Sequence, residues 1–351
     1  MSALLIIKIV IILVIFGITL FIAMYSTWME RKVAAVMQDR VGPNRAGPWG
    51  LLQPLADGGK MFFKEDFIPK RSEKWLFILG PGIAMFTACM TSAVIPWGGT
   101  LTLFGETFNL QAADIDIGIL YILGFVSIGV YGIMLGGWAS NNKYSLYGAV
   151  RASSQMISYE LAMGLAILAV VMTSGSLSLK DIVESQPGFQ WNAWSQPLAF
   201  LLFLVCAFAE CNRAPFDLAE CETELIGGYH TEYSSMKLGF YLFAEYINMF
   251  ISAAVISVLF FGGYNFPFMY EMGLSQNAIT FIGVGVFFAK IVFFIFFFMW
   301  VRWTIPRFRY DQLMHLGWKA LIPLAIVNLM ITGGWLIFRE SENWLAFKNM
   351  F

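Results

Sequence analysis

The sequence predicts an all-α polytopic membrane protein of about eight transmembrane helices, with an interfacial amphipathic helix in the first cytoplasmic loop. Three observations carry this. Of 351 residues, 58% are hydrophobic and only 13% are charged, about half the charged fraction usual for a soluble domain. Mean hydropathy is +0.69. The apolar residues also fall into long uninterrupted runs of the length that crosses a bilayer, roughly 20 residues at 1.5 Å rise each. A soluble globule of this size has no interior for so much apolar surface. The composition therefore excludes a soluble enzyme, a nucleic-acid binder and a disordered chain.

Spans are expected near 4–27, 76–95, 117–138, 156–174, 196–212, 238–262, 278–301 and 319–338. The first run is too long for a signal-peptide core and no small-residue cleavage site follows it, so it reads as a retained span. Neither an internal repeat nor a low-complexity linker divides the chain, and residues 1–351 read as one transmembrane domain. Most of the 22 lysines and arginines fall in the loops 28–75, 213–237 and 302–319 and around Lys143 and Arg151. Loops on the opposite side carry Lys180, and the tail carries Arg339 and Lys348. This bias puts the basic side in the cytoplasm. With an even number of spans, both termini lie on the other side.

Cysteine and histidine usage excludes further chemistry. Cys89, Cys206, Cys211 and Cys221 contain no C-x-x-C pair, and His230 and His315 lie far apart in the chain. Four thiolates for a cluster, or two facing imidazoles for a haem, are not convincingly present. There is no zinc spacing and no Gly-rich phosphate loop after a strand. Redox centres, if the protein serves any, belong to other chains.

Three segments do more than span. In the loop 30–71, Pro43, Pro48 and Pro54 with Gly42, Gly47 and Gly50 exclude one continuous helix. Beyond them Leu51, Leu55, Phe62 and Phe63 interleave with Asp57, Lys60 and Lys64 in an approximately helical pattern, as for a helix lying in the interface plane. One reading is a positive-inside anchor. The other is a folded docking surface, which the acidic residues Asp39, Asp57, Glu65 and Asp66 favour. In residues 209–234, Asp217, Glu220, Glu222 and Glu224 put four carboxylates into eight residues. On a helix the first, second and fourth share a face. Arg213 and Lys237 are the bases near them in sequence, so incomplete neutralisation is expected. The segment reads either as a solvated acidic loop or as a group that holds and passes protons.

Ionisable residues inside the spans favour the second reading. Glu160, Glu245 and Lys290 each cost roughly 2.5–3.5 kcal/mol at the bilayer centre on insertion scales. Either Glu245 and Lys290 form a buried ion pair, or these groups make a file of protonatable side chains. In the file, Ser158, Tyr159 and Asn248 hold intervening water. The third segment, 302–319, is interrupted at Pro306, and its Arg302, Arg307 and Arg309 can meet Asp311 or carboxylates of a partner.

These segments resemble a family of membrane subunits of respiratory complex I, the H subunits of the proton-pumping NADH:quinone oxidoreductase, whose mitochondrial counterpart is NADH dehydrogenase subunit 1. The resemblance rests on ERK…QDRVGPNRAGPWGLLQPLADGGK…KED (30–66), GWASNNKYSLYGAVRASSQMISYE (137–160) and AECNRAPFDLAECETELIGGYHTEYS (209–234). It continues in FAEY (243–246) and RWTIPRFRYDQLMHLGWK (302–319). It implies an eight-helix subunit supplying the membrane part of a quinone tunnel. Arg31, Arg40, Asp57, Arg213 and Asp217 match the family around that tunnel. Glu160, Glu210, Glu220, Glu222, Glu224 and Glu245, with Lys290, match its glutamate path toward the membrane-arm pumps.

The implied substrate is a quinone, ubiquinone or menaquinone. NAD, FMN and Fe–S clusters are implied only in partner subunits, with none bound by this chain. The implied partners are the hydrophilic-arm quinone-site subunits, adjacent membrane-arm subunits and membrane lipid, with no nucleic acid. The implied location is the bacterial inner (cytoplasmic) membrane with both termini periplasmic. Two rivals remain at this point: an autonomous ion transporter, which would work alone in liposomes, and the related subunit of a membrane-bound hydrogenase-type complex, which would co-purify with a different electron donor.

Overall fold

The structure, a computed structural model, describes residues 3–103, 106–219, 222–269, 271 and 273–340. Its long helices are α1 (Ala3–Met37), α3 (Lys74–Thr91), α4 (Gly118–Ala139), α5 (Lys143–Ser174), α10 (Ser235–Phe260) and α11 (Gln276–Thr304). A seventh runs over Tyr310–Arg339. It comprises α12 (Tyr310–His315), a π-helical turn Leu316–Leu321 and α13 (Ile322–Glu340). All seven are long and apolar enough to cross a membrane. The short helices are α2 (Gln53–Phe63), α6 (Leu179–Glu184), α7 (Asn192–Ser195), α8 (Pro197–Glu210) and α9 (Glu222–Leu225). This is the expected all-α polytopic membrane architecture.

The differences from the sequence reading have local causes. The fifth expected span is α8, only 14 residues, or about 21 Å of rise. It stops at Glu210 because Asn212 takes a positive φ and the chain turns toward Pro215. The fourth span begins at Lys143 rather than near 156. Its hydrophilic first half stays helical because its polar side chains find buried partners. Ser145 Oγ donates to the Tyr229 carbonyl at 2.6 Å, and Gln155 Nε2 to those of Ala209 and Phe216 at 2.8 and 2.7 Å. The Asn142 side chain caps that helix by accepting from the Tyr144 amide. The last span likewise starts at Tyr310, inside the segment expected to be loop.

An antiparallel hairpin, β1 (Gly98–Leu103) with β2 (Glu106–Leu110), was not anticipated. It is held to the start of α11, where Asn277 Nδ2 donates to the Thr102 carbonyl and Thr280 Oγ1 to that of Thr100, both at 2.8 Å.

The first loop folds as its prolines and glycines require. Gly50 has φ +78°, and a Cβ there would lie 2.2 Å from the Pro43 carbonyl oxygen. The helix α2 follows and leaves Leu55, Phe62 and Phe63 exposed. Its C-terminal end is fastened to the start of α10. Ser235 Oγ donates to the Met61 carbonyl at 3.0 Å, Ser234 Oγ to that of Glu65 at 3.1 Å, and Lys237 pairs with Asp66 at 2.8 Å.

Small residues let α3, α4 and α10 approach closely, the usual device where apolar lipid provides no hydrophobic drive between helices. A Cβ on Gly136 would sit 1.9 Å from the Tyr241 hydroxyl and 2.9 Å from that of Tyr233. Tyr241 donates to the Gly132 carbonyl at 3.0 Å. Overpacking of this kind costs about 1–3 kcal/mol or more. Gly136→Ala is therefore expected to lower the melting temperature of the purified assembly. Gly164→Ala, where nothing lies within 4 Å, should not.

Candidate functional site

The helix α1 is 35 residues long, about 52 Å, and so continues well past its apolar stretch. That extension carries Glu30 and Arg31 to the mouth of a cavity of about 1000 Å³ between α1, α2 and α10. Part of its lining is apolar and includes Leu20, Phe21, Phe62, Phe240 and Phe243. The rest of the lining is polar or ionic and includes Glu30, Arg31, Arg40, Asp57, Arg213, Tyr246 and Arg302. Four of the five positions expected around a tunnel thus meet at one cavity. Arg31 and Asp57 face each other across it, from α1 and α2, at 2.7 Å. Asp217 is not among the lining residues and pairs with Arg307 at 2.6 Å.

Part of this lining belongs to a buried charge cluster. Arg213 reaches Glu30 with one terminal nitrogen and Glu245 with the other, each at 3.5 Å. Its guanidinium lies over the Tyr246 ring, 4.3 Å from the centroid. Glu30 also pairs with Arg302 and accepts from the Tyr246 hydroxyl at 2.7 Å. Glu245 accepts from the Tyr229 hydroxyl at 3.2 Å. Two acidic and two basic groups therefore balance in a region where Glu30, Arg213 and Glu245 are almost wholly buried. Such a set holds only while each member has its partners. Glu30, Tyr229 and Tyr246 escaped the sequence reading. The available signal was Glu30 itself, an acid directly after an apolar helix and next to Arg31.

From Glu245 polar groups continue inward. A void of about 20 Å³ is lined by Thr87, Thr91, Asn212, Tyr229, Glu245 and Asn248, among others, room for one water with several polar partners. Cys211, next in line, lies within electrostatic reach of Glu245 and of Glu210, and Glu210 within reach of Glu160. Glu210 is 4% exposed, and neither carboxyl oxygen has a hydrogen-bond partner among the described residues. Half-buried Glu160 is held by the Ser127 hydroxyl of α4.

Several expectations need correction. Asp217 and Glu224 do not share a helix: Asp217 lies outside any helix, and α9 begins only at Glu222. The segment is also better neutralised than its neighbours in sequence suggest, because packing brings in distant arginines. Arg307 meets Asp217, and Arg151 meets Glu224 at 2.5 Å. Glu220 and the Glu222 side chain lie outside the described residues.

The alternative of a Glu245–Lys290 pair fails on geometry. Lys290 donates to the carbonyls of Phe261, Gly263 and Asn265 at 2.7, 2.8 and 2.8 Å. The 16 residues from Glu245 to Phe261 span about 24 Å. Ser158 and Tyr159 are not placed to hold water in the file either. Ser158 Oγ donates to the Ser154 carbonyl and accepts from Trp318, and the Tyr159 hydroxyl donates to the Leu313 carbonyl at 2.9 Å.

A family model described as NADH dehydrogenase matches residues 8–333. The first H subunit of NADH-quinone oxidoreductase in Cytophaga hutchinsonii is 67% identical over 326 residues, 93% of this chain and 95% of that one. The H subunit of NADH-quinone oxidoreductase in Flavobacterium johnsoniae is 64% identical over 348 residues, 99% of each. Its namesake in Leptospira biflexa is 51% identical over 331 residues, 92% of each. On a match that spans nearly the whole chain, the protein belongs to the NADH dehydrogenase family, with the H subunits of NADH-quinone oxidoreductase.

Proposed function

We propose that this chain forms the membrane part of the quinone tunnel in a bacterial proton-pumping NADH-quinone oxidoreductase (complex I), and that its buried carboxylates convey the effect of quinone reduction into the membrane arm. The observation that carries this is the cavity between α1, α2 and α10, whose lining combines apolar side chains with a set of arginines and carboxylates. Its apolar lining suits an isoprenoid tail, and its Glu30 and Arg31 stand beyond the apolar part of α1, where a headgroup meets partner chains. Sites of this type are mostly apolar, with a few placed polar groups. Ubiquinone and menaquinone share the features this cavity addresses.

Reduction of the quinone to quinol takes two electrons and two protons. The electrons come from NADH through the FMN and Fe–S clusters of partner subunits, and this chain binds none of those groups. Its own residues hold and move charge. Arg31, Arg40, Asp57 and Arg213 border the tunnel. Asp217 and the acidic residues Glu220, Glu222 and Glu224 lie on the cytoplasmic loop that registers the charge change. The clustered Glu30, Arg213 and Glu245, then Glu210 and Glu160, relay it inward as a coupling free energy between sites.

The loops 28–75, 213–237 and 302–319 face the cytoplasm and dock the hydrophilic arm. Adjacent membrane-arm subunits and lipid cover the exposed apolar helix faces. Both termini are periplasmic, in the inner membrane, if α8 counts as a crossing. The names of the relatives favour this reading over a hydrogenase-linked or autonomous transporter.

Gly239 of α10 lines the cavity, and only the Met236 sulfur lies within 4 Å of an added Cβ. Gly239→Leu is expected to fold normally and to obstruct the tail. In the assembled complex the KM for a long-tailed quinone should rise several-fold, and that for a short-tailed analogue much less. Equal kinetics with both would remove the cavity from the quinone path.

A further inference from the structure

Lys290 stands 14 residues from each end of α11, Gln276 and Thr304. The backbone it touches is not helical. Residues 261–265 leave α10 in a tight loop with Gly262 and Gly263 at positive φ, and that loop lies beside the middle of a membrane-spanning helix. Irregular backbone at such depth survives only where its carbonyls are satisfied by protein or line a water-filled cavity.

Here the satisfaction is dense. Three carbonyls, of Phe261, Gly263 and Asn265, converge on Lys290 Nζ at 2.7–2.8 Å. The Trp191 ring covers the same nitrogen, 5.6 Å from its centroid. Three acceptors need three N–H donors; an ammonium has three and a neutral amine only two. The loop 186–192 closes the rest of the helix end. Gln186 Nε2 donates to the Val258 carbonyl at 3.1 Å and Asn192 Nδ2 to that of Leu259 at 2.9 Å. Gln186 Oε1 accepts from the amides of Asn192 and Gly262 at 3.0 and 3.1 Å.

We infer that Lys290 is a tethered cation in a carbonyl cage, and that with Gln186 and Asn192 it seals this end of the bundle against ion leak. The cage, vacated by the side chain, is a site for a primary alkylammonium ion. Lys290 thus acts as a positioning residue for the seal rather than as a carrier in the glutamate path that the family resemblance suggested. The inference needs the chain to span the membrane, and does not depend on the quinone assignment.

The test uses the whole complex reconstituted in vesicles and held fully inhibited, so that turnover does not enter. A membrane potential is imposed and its decay is followed. Lys290→Ala is expected to speed the decay several-fold. Propylammonium replaces the deleted Cγ-to-Nζ fragment and should restore slow decay, while tetramethylammonium, a cation without N–H donors, should not. Lys290→Ala vesicles as tight as those of the unaltered complex would overturn the proposal, as would equal restoration by tetramethylammonium. If Lys290→Ala does not assemble, Asn192→Ala removes one donor from the same helix end. Faster decay there, unaffected by propylammonium, supports the seal, and unaltered tightness sinks it.

Discussion

Arg213→Met is expected to be among the most damaging single substitutions in this chain. The guanidinium bridges Glu30 and Glu245 in a region with little solvent. Breaking a buried pair by removing one partner costs about 3–5 kcal/mol, because the remaining charge stays buried. Here two carboxylates lose the same partner. Assembly of the complex should fall sharply, and what assembles should melt lower and reduce quinone poorly. Arg213→Lys should recover only part, since one ammonium does not span two carboxylates as a planar fork does.

The double variant Arg213→Met/Glu245→Gln should be more stable than Arg213→Met alone, because it deletes a charge along with its partner. A double-mutant cycle on melting of the purified complex measures that coupling directly. Strict additivity would mean that the two side chains do not depend on each other, and the cluster would lose its place at the head of the relay.

Much of this cluster is legible in the sequence, though not its wiring. Charged residues inside or beside apolar runs are conspicuous because they are expensive there, so Arg213, Glu245, Glu160 and Lys290 stand out at once. What the sequence does not contain is depth. Glu245 and Lys290 sit on consecutive long helices and both look central, yet antiparallel packing leaves one in the charge cluster with Arg213 and the other beside the far end of α10. Neutralisation is hidden for a similar reason. Asp217 and Glu224 have few bases near them in sequence, and their arginines arrive from 307 and 151 by packing alone.

Helix ends mislead wherever polarity and structure part company. Residues 143–155 look like loop by hydropathy, but Ser145 and Gln155 bury their polar atoms against the 209–229 segment and keep α5 intact. The hairpin 98–110 carries an alternating Thr-Leu-Thr-Leu stretch after Gly98 and Gly99, a period-two pattern easily lost among apolar spans. The first loop is the opposite case. Its glycines and prolines state a local geometry, and that geometry forms.

Glu210→Gln separates function from folding in a way that Arg213 does not. Glu210 ends the short helix α8 with both carboxyl oxygens buried and no hydrogen-bond partner among the described residues. An amide of the same shape takes no hydrogen bond away from those neighbours, so assembly and melting temperature should change little. If the carboxyl passes protons or charge between Glu160 and the cluster at Glu245, an amide in its place does not. Loss of a proton-transfer group typically costs about 10²-fold or more. Coupled proton translocation and quinone reduction should both fall by about that much in vesicles, with NADH oxidation by an artificial acceptor at the hydrophilic arm preserved. Glu210→Asp, which keeps the carboxyl on a shorter arm, should fall between the two. Full proton pumping by an assembled Glu210→Gln complex would break the chain of carboxyls at its middle, and Glu160 would then have to be reached by another route or not at all.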